Sequence, residues 1–278
     1  MRLTTIADLE SMREPELRQA LRHVQLIPRI EAYLEDLNMD QHKKETGCFS
    51  ASDVGSTGGL SLCGQYVMGC GRKMYYRYIG IEAHEHIEPR LRRIFDTGTM
   101  IHLQLQDYMT QICKRSDGTE KFEDEKPIDP QTSKAADLLD ILSTTDGLYE
   151  IVTEDNIRFL VEIKSINTDE FKSMSRAKEE HTVQSTFYMG CLDVPVCVIL
   201  YYDKNTSAMA EYAVKFLRPL WDAIVRKLKY VRECALNDQE PPQEPGFHCR
   251  TCRYAHVCKP PKMSETRVQR GRGPRYRL

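Results

Sequence analysis

Asp146 and Glu162, with Lys164 two residues past the glutamate, are the residues of this chain whose types and spacing could do chemistry. Asp146-Gly147 precedes Tyr149 to Ile151, and a second run of β-branched, aromatic and aliphatic residues extends from Ile157 to Lys164. Glu154, Asp155 and Asn156 form a polar turn between the runs, so the pattern predicts a β-hairpin. With the turn centred near Glu154, Asp146 lies across from Glu162. The two-residue strand period sends Glu162 and Lys164 to one, polar face and Val161 and Ile163 to the other, apolar one. Adjacent carboxylates repel unless a cation lies between them, and hard oxygen donors suit Mg2+ or Mn2+ better than zinc. Such a cation polarises a phosphate and acidifies a water, while a nearby ammonium orients that water or balances developing charge. The chemistry implied is phosphodiester hydrolysis, with Lys164 as the amine. Taken alone, Glu-x-Lys is also the common solvated face of an amphipathic strand, so the reading depends on its surroundings.

Upstream, Ile94, Met100, Ile101, Leu105, Tyr108, Met109 and Ile112 recur at helical spacing between about Leu91 and Ile112, which predicts a buried helical stripe. His102 sits in this stretch and could offer its imidazole to the same cation; the plainer alternative is a histidine with an ordinary hydrogen bond. Downstream, Thr168 is placed to cap a helix running to about Cys191. Gln184 and Tyr188, four residues apart, share a face of it. An amide and a hydroxyl so placed can fix a lysine, a water or a phosphate.

In order and approximate spacing, Gly98-x3-His102, Asp146-Gly147, Glu162-x-Lys164 and Gln184-x3-Tyr188 resemble the RecB-like branch of the PD-(D/E)xK nuclease superfamily, over roughly residues 50 to 260. The resemblance implies an α/β fold with a restriction-endonuclease-like mixed central β-sheet flanked by helices. It also implies His102, Asp146, Glu162 and the Ile163 carbonyl as metal ligands, and Lys164 as the catalytic lysine acting with Asp146 and Glu162. Gln184 and Tyr188 become helpers at the active site or on the DNA. The family often carries glycine three residues before its aspartate; Ser143 stands there in this chain, so a tight backbone approach is not provided.

Cysteines supply a second feature. Three of the ten fall in Cys249-x2-Cys252-x5-Cys258, behind the turn-forming run Pro241 to Gly246, and clustered thiolates on a short loop point to a metal or iron-sulfur site. A fourth ligand must come from elsewhere, and Cys70 is the choice, ahead of Cys63 and Cys48. The Cys70 segment, Cys70-Gly71-Arg72-Lys73-Met74-Tyr75-Tyr76, is similar to a pattern near the start of the iron-sulfur members of the same family, which include CRISPR-adaptation and AddB-type nucleases. That likeness implies a 4Fe-4S cluster on Cys70, Cys249, Cys252 and Cys258, clamping the two chain ends together. Zinc competes, since His248 or His256 would complete a Cys3His site without Cys70. Cys113, Cys191, Cys197 and Cys234 read as small buried hydrophobes or idle thiols, as do Cys48 and Cys63 when they are not ligands.

Hydrophobic residues make up 41% of the 278, enough to bury one sizeable core without a second full domain. No apolar run approaches a membrane span and Met1 to Glu31 has no signal-peptide core, so a cytoplasmic protein with reduced thiols is expected, with no membrane partner. The net charge of −2 leaves attraction to DNA to local patches. Arg72 and Lys73, interleaved with tyrosines, suit DNA contact, single-stranded above all. Arg267, Arg270, Arg272, Arg275 and Arg277 in a Gly- and Pro-containing tail suit a phosphate backbone or mere solubility.

The expected organisation is a helical N-terminal lead (1–45), a nuclease domain with its cysteine clasp (46–262) and an arginine-rich tail (263–278). Predicted helices run from Glu14 to about Leu37 with a break near Pro28, from about Leu62 to Tyr78, through His102, and from Phe216 to Asn237. Strands are predicted at Lys121 to Ile128, in the hairpin, at Val194 to Tyr202 and at Met209 to Val214 on an edge. The function expected is a metal-dependent deoxyribonuclease, an exonuclease on DNA ends or single strands, with any helicase or recombination motor on another chain. The competing class is a nonenzymatic DNA-binding or assembly module that keeps the fold and the cysteine site.

Overall fold

The two runs around Asp155 pair as an antiparallel hairpin, β4 (Gly147–Ile151) and β5 (Ile157–Ile166), in the expected register: Gly147 faces Val161 and Ile151 faces Ile157. The computed structural model describes residues 15, 26–37, 46–55, 68–84, 87–152 and 157–258. Most of the N-terminal lead, Cys63, the hairpin turn, the Leu62 to Val67 part of a predicted helix and the arginine-rich tail lie outside them.

Five strands form the central sheet in the order β1-β4-β5-β6-β7, with β1 (Glu120–Asp124), β6 (Val196–Asp203) and β7 (Met209–Lys215) joining the hairpin. Only β5 and β6 run parallel, so the sheet is mixed. A two-stranded ribbon of β2 (Pro127–Ile128) and β3 (Ser143–Thr144) stands apart. The single strand expected over 121–128 is therefore two, broken at Glu125, whose φ of +46° turns the chain left-handed.

Helices cover both faces. On one lies α4 (Pro89–Arg115), preceded in the chain by α1 (Leu26–Asp36), α2 (Ala51–Val54) and α3 (Gly71–Tyr78). Pro28 lies inside α1, so among the described residues the chain does not break there. The other face carries the main core, formed by Leu160, Phe187, Ile199, Tyr201, Ile224, Leu228 and Val231. These come from the strands, from α7 (Glu179–Leu192) and from α8 (Arg218–Leu236). The remaining helices are α5 (Lys134–Leu139), α6 (Thr168–Ser173), a 3-10 turn at Phe247–Thr251 and α9 (Ala255–Cys258).

Two helix expectations need correction. The apolar stripe of α4 is narrow: Ile101 and Leu105 are buried against Tyr149, Val161 and Ile163, whereas Met100, Tyr108 and Ile112 are at least half exposed. A helix on one rim of a sheet has only one line of side chains to bury. The helix expected from Thr168 to Cys191 is two. Asn167, not Thr168, caps α6 by accepting from the Glu170 amide, and Thr168 Oγ1 donates instead to Asp203. The bend between the helices is held by the Lys178 amide donating to Tyr201 Oη at 3.1 Å and by Lys178 Nζ on Glu170 at 2.9 Å.

Candidate active site and cysteine cleft

Asp146 sits where the β4–β5 ladder ends. Its Oδ2 accepts from the Ile163 amide at 2.6 Å, its Oδ1 lies 3.3 Å from His102 Nδ1, and its carbonyl oxygen accepts from Gln106 Nε2 at 2.9 Å. Two elements, β5 and α4, thus fix the residue, with two contacts on its carboxylate and one on its carbonyl. The following Gly147 is required by packing, because a methyl group there would land in the Phe122 ring. Because an N–H and the C=O of the same residue point to one side of a strand, the Ile163 carbonyl looks toward the Asp146 side, past the last β4 partner.

Glu162 is 1% exposed, so the polar strand face expected from alternation is not solvated. α7 lies over it. One Glu162 oxygen is paired with Lys164 Nζ, while Oε2 is buried with no hydrogen-bond partner. Burial first, and the Asp146 charge second, push the Glu162 carboxyl up to about 7 despite the opposing pull of Lys164 and His102. Lys164 is shifted upward: burial opposes its charge, but Glu162 and Asp146 outweigh that penalty. The four residues singled out by spacing therefore form one electrostatic group, with His102 and Asp146 on an open cleft and Glu162 behind it.

The orphaned, buried oxygen and the hard donor set fit a divalent cation. As they stand the donors are engaged pairwise, His102 with Asp146 and Lys164 with Glu162. Among the described residues no group of three or more His, Cys, Asp or Glu is gathered tightly enough to hold a single ion.

Gln184 and Tyr188 lie on the α7 face that covers Glu162, with Gln184 Nε2 donating to Tyr188 Oη at 2.9 Å. Tyr188 is 5% exposed, and its hydroxyl is held well above its ordinary pKa by burial first and by Glu162 next. Ser143 also hydrogen-bonds it. Both thus lie beside Glu162, Tyr188 buried and Gln184 partly exposed.

Sequence reasoning missed four neighbours. Gln106 was findable, since it lies one turn beyond His102. His181 is not signalled: its Nδ1 sits 2.7 Å from Tyr201 Oη, and burial, then Lys164 and Lys178, push its pKa down to about 3. Ser165 and Lys204 join Asp146, His102 and Gln106 in lining the cleft, together with Glu125 and a stripe of α4 from Ile94 to Gln106.

Cys70, Cys249, Cys252 and Cys258 line a second, partly open cleft between the start of α3 and the C-terminal loop. His248 is on the same wall. Around it α3 touches the segment that follows α8 directly. The Gly71 amide donates to Glu244 Oε1 at 2.9 Å, the buried Lys227 pairs with Glu244 Oε2 at 3.1 Å, and Tyr76 Oη donates to Glu240 at 2.9 Å. Arg72 and Lys73 line this cleft and not the one at Asp146. The Arg72 guanidinium is engaged by the Pro241 carbonyl at 2.7 Å, by Glu240 at 3.1 Å and by Cys258 Sγ at 3.9 Å. Burial pushes the Cys191 and Cys197 thiols up to about 12, which leaves them apolar filler.

No protein-family model matches this sequence, and no curated protein matches it. Among solved structures the chain is similar to the crystal structure of SSO0001, at 14% identity and a TM-score of 0.43, covering 84% of this chain and 95% of that one. It is also similar to an alkaline exonuclease, LHK-Exo, from Laribacter hongkongensis, at 17% identity and a TM-score of 0.46, covering 69% and 89%. The same exonuclease in complex with dAMP gives 15% identity and a TM-score of 0.38, covering 68% and 91%. Scores this low carry no argument about activity, which has to rest on the site itself. Among the described residues no helix is long and apolar enough to cross a membrane.

Proposed function

We propose that this protein is a metal-dependent deoxyribonuclease, an exonuclease acting on DNA ends or single strands. The observation that carries the reading is Glu162: a fully buried carboxylate with an orphaned oxygen, an ammonium on its other oxygen, and Asp146 and His102 beside it at the rim of an open cleft. A protein holds such a charge group together against its own repulsion where it serves chemistry. His102, Asp146, Glu162 and the Ile163 carbonyl would hold Mg2+ or Mn2+, and a bound cation would supply phosphate polarisation and a more acidic water.

The chain's own residues supply the rest. Lys164 carries its charge at neutral pH and stands where it can orient a water or offset charge on the phosphate oxygens. Gln106 and the Ile163 amide keep Asp146 in one orientation. Tyr188 and Gln184 close the far side of Glu162 and keep water from it. The decisive experiment is degradation of labelled single-stranded DNA with Mn2+ and with EDTA. Equal degradation in both, or none with any divalent metal, refutes the proposal.

The same reading gives the cysteine cleft a 4Fe-4S cluster on Cys70, Cys249, Cys252 and Cys258. Four cysteines, one at the start of α3 and three in the C-terminal loop, lining one cleft support it. A cytoplasmic, reducing setting suits such a group. Iron and sulfide assays on anaerobically purified protein decide between the cluster and zinc: stoichiometric zinc with neither iron nor sulfide would overturn the cluster.

A further inference from the structure

The cleft at Asp146 has two unlike walls. Along α4, Ile94, Phe95 and Leu103 give it an apolar side, and Phe95 and Leu103 are 51% and 58% exposed. Opposite lie Ser165, at the end of β5, and Lys204, just past β6. Gly98 of α4 faces Ser165: a Cβ there would stand 3.4 Å from Ser165 Oγ, in ordinary contact.

Lys204 is held by a built platform. Its amide donates to the Ile166 carbonyl at 3.0 Å. The preceding Asp203 is 1% exposed and accepts from Thr168 Oγ1 at 2.9 Å, from the Asn205 amide at 3.0 Å and from Thr206 Oγ1 at 2.5 Å. A buried carboxylate accepting from Asn205 and Thr206 of its own turn and from Thr168 of α6 serves to fix the turn against that helix. The residue so fixed carries an ammonium on a cleft wall. Among the described residues Lys204 meets no carboxylate within ion-pair distance. An ammonium and a hydroxyl facing an open groove suit a backbone phosphate, and an exposed ring on the other wall suits an unpaired base.

We propose that Lys204 and Ser165 seat a phosphate of the substrate strand while Phe95 stacks on one of its bases, so that the cleft takes a single-stranded segment. This deepens the nuclease reading and rests on it for the identity of the ligand. The test separates the two. Binding of a fluorescein-labelled oligothymidylate is measured by anisotropy in EDTA, where no turnover occurs, across a salt series. Lys204→Ala should weaken binding about tenfold near 0.1 M salt and lower the slope of log affinity against log salt by about 0.7, with Lys204→Arg restoring both. Phe95→Ala should weaken binding at least fivefold, leave the slope unchanged, and spare a fully duplex probe. With Mn2+, Lys204→Ala should raise KM about tenfold with kcat changed less than threefold. Unaltered affinity and slope in Lys204→Ala, or no binding by the parent protein, overturns the seat. Salt-dependent binding through Lys204 in a protein that degrades nothing would uphold the seat and defeat the nuclease assignment.

Discussion

Without a cation, Glu162 works against the fold. Its carboxyl is pushed from 4.5 up to about 7 by burial and by Asp146, and every tenfold change in an acid's dissociation constant is about 1.4 kcal/mol. Below about pH 4.5 the group is protonated in both folded and unfolded chains, and stability is unaffected. As pH rises toward 7 the unfolded chain releases a proton that the folded one keeps, so stability falls. By pH 8 the loss is about 3 kcal/mol. Glu162→Gln keeps the side-chain shape and an oxygen for Lys164 while deleting the charge. Urea unfolding in EDTA at pH 5 and pH 8, compared between parent and variant, isolates this group, because other titrations are common to both proteins. The variant should be the more stable at pH 8 by up to about 3 kcal/mol, and near parity at pH 5. Mn2+ should raise the parent's midpoint by more than the variant's, since the parent offers the ion two carboxylates, Glu162 and Asp146, and the variant only Asp146. A variant less stable than the parent at pH 8 in EDTA, or one stabilised equally by Mn2+, would refute the reasoning.

Lys164→Ala should retain its circular dichroism spectrum and metal-dependent stabilisation while losing about 100-fold or more in turnover on single-stranded DNA. Gly71→Ala places a methyl group 2.9 Å from Glu244 Oε1, so it should loosen the link between α3 and the C-terminal loop and lower the iron recovered per chain. Gly147→Ala forces a methyl group into the Phe122 ring beside Asp146 and should cost about 1–3 kcal/mol in urea unfolding. His181, with its pKa pushed down to about 3, stays neutral in the fold, so its contribution is intact above about pH 6.5 and is lost as pH falls toward 3. An imidazole resonance titrating near 6.5 in the folded protein would contradict its burial beside Lys164.

The hairpin was legible because its two runs alternate cleanly, and alternation plus turn position fixes a register: Asp146 opposite Glu162 follows from Gly147 facing Val161. The strands Val196–Asp203 and Met209–Lys215 and the helix Arg218–Leu236 were legible for the same reason, each being one uninterrupted period. Breaks were harder to see. The one at Glu125 depends on a left-handed residue that carries no glycine, and the one after Ser173 depends on Tyr201 and Glu170 reaching back to Lys178. Neither leaves a mark on local composition.

Alternation alone also misjudged what lies over Glu162. A strand reading Val-Glu-Ile-Lys suggests one wet face and one dry face, but in a sheet covered by helices on both sides the glutamate face is dry as well. That difference changes the chemistry. A solvated Glu162 would keep an ordinary carboxylate pKa and hold a cation weakly, whereas an enclosed one beside Asp146 gains from any cation that reaches it. The enclosure comes from Tyr188 and its neighbours on α7, which belong to a helix about twenty residues downstream. The spacing of Gln184 and Tyr188 marked them as partners of the site, yet only the packing of α7 across β5 shows that they lie over the buried Glu162 while Asp146 and His102 line the open cleft.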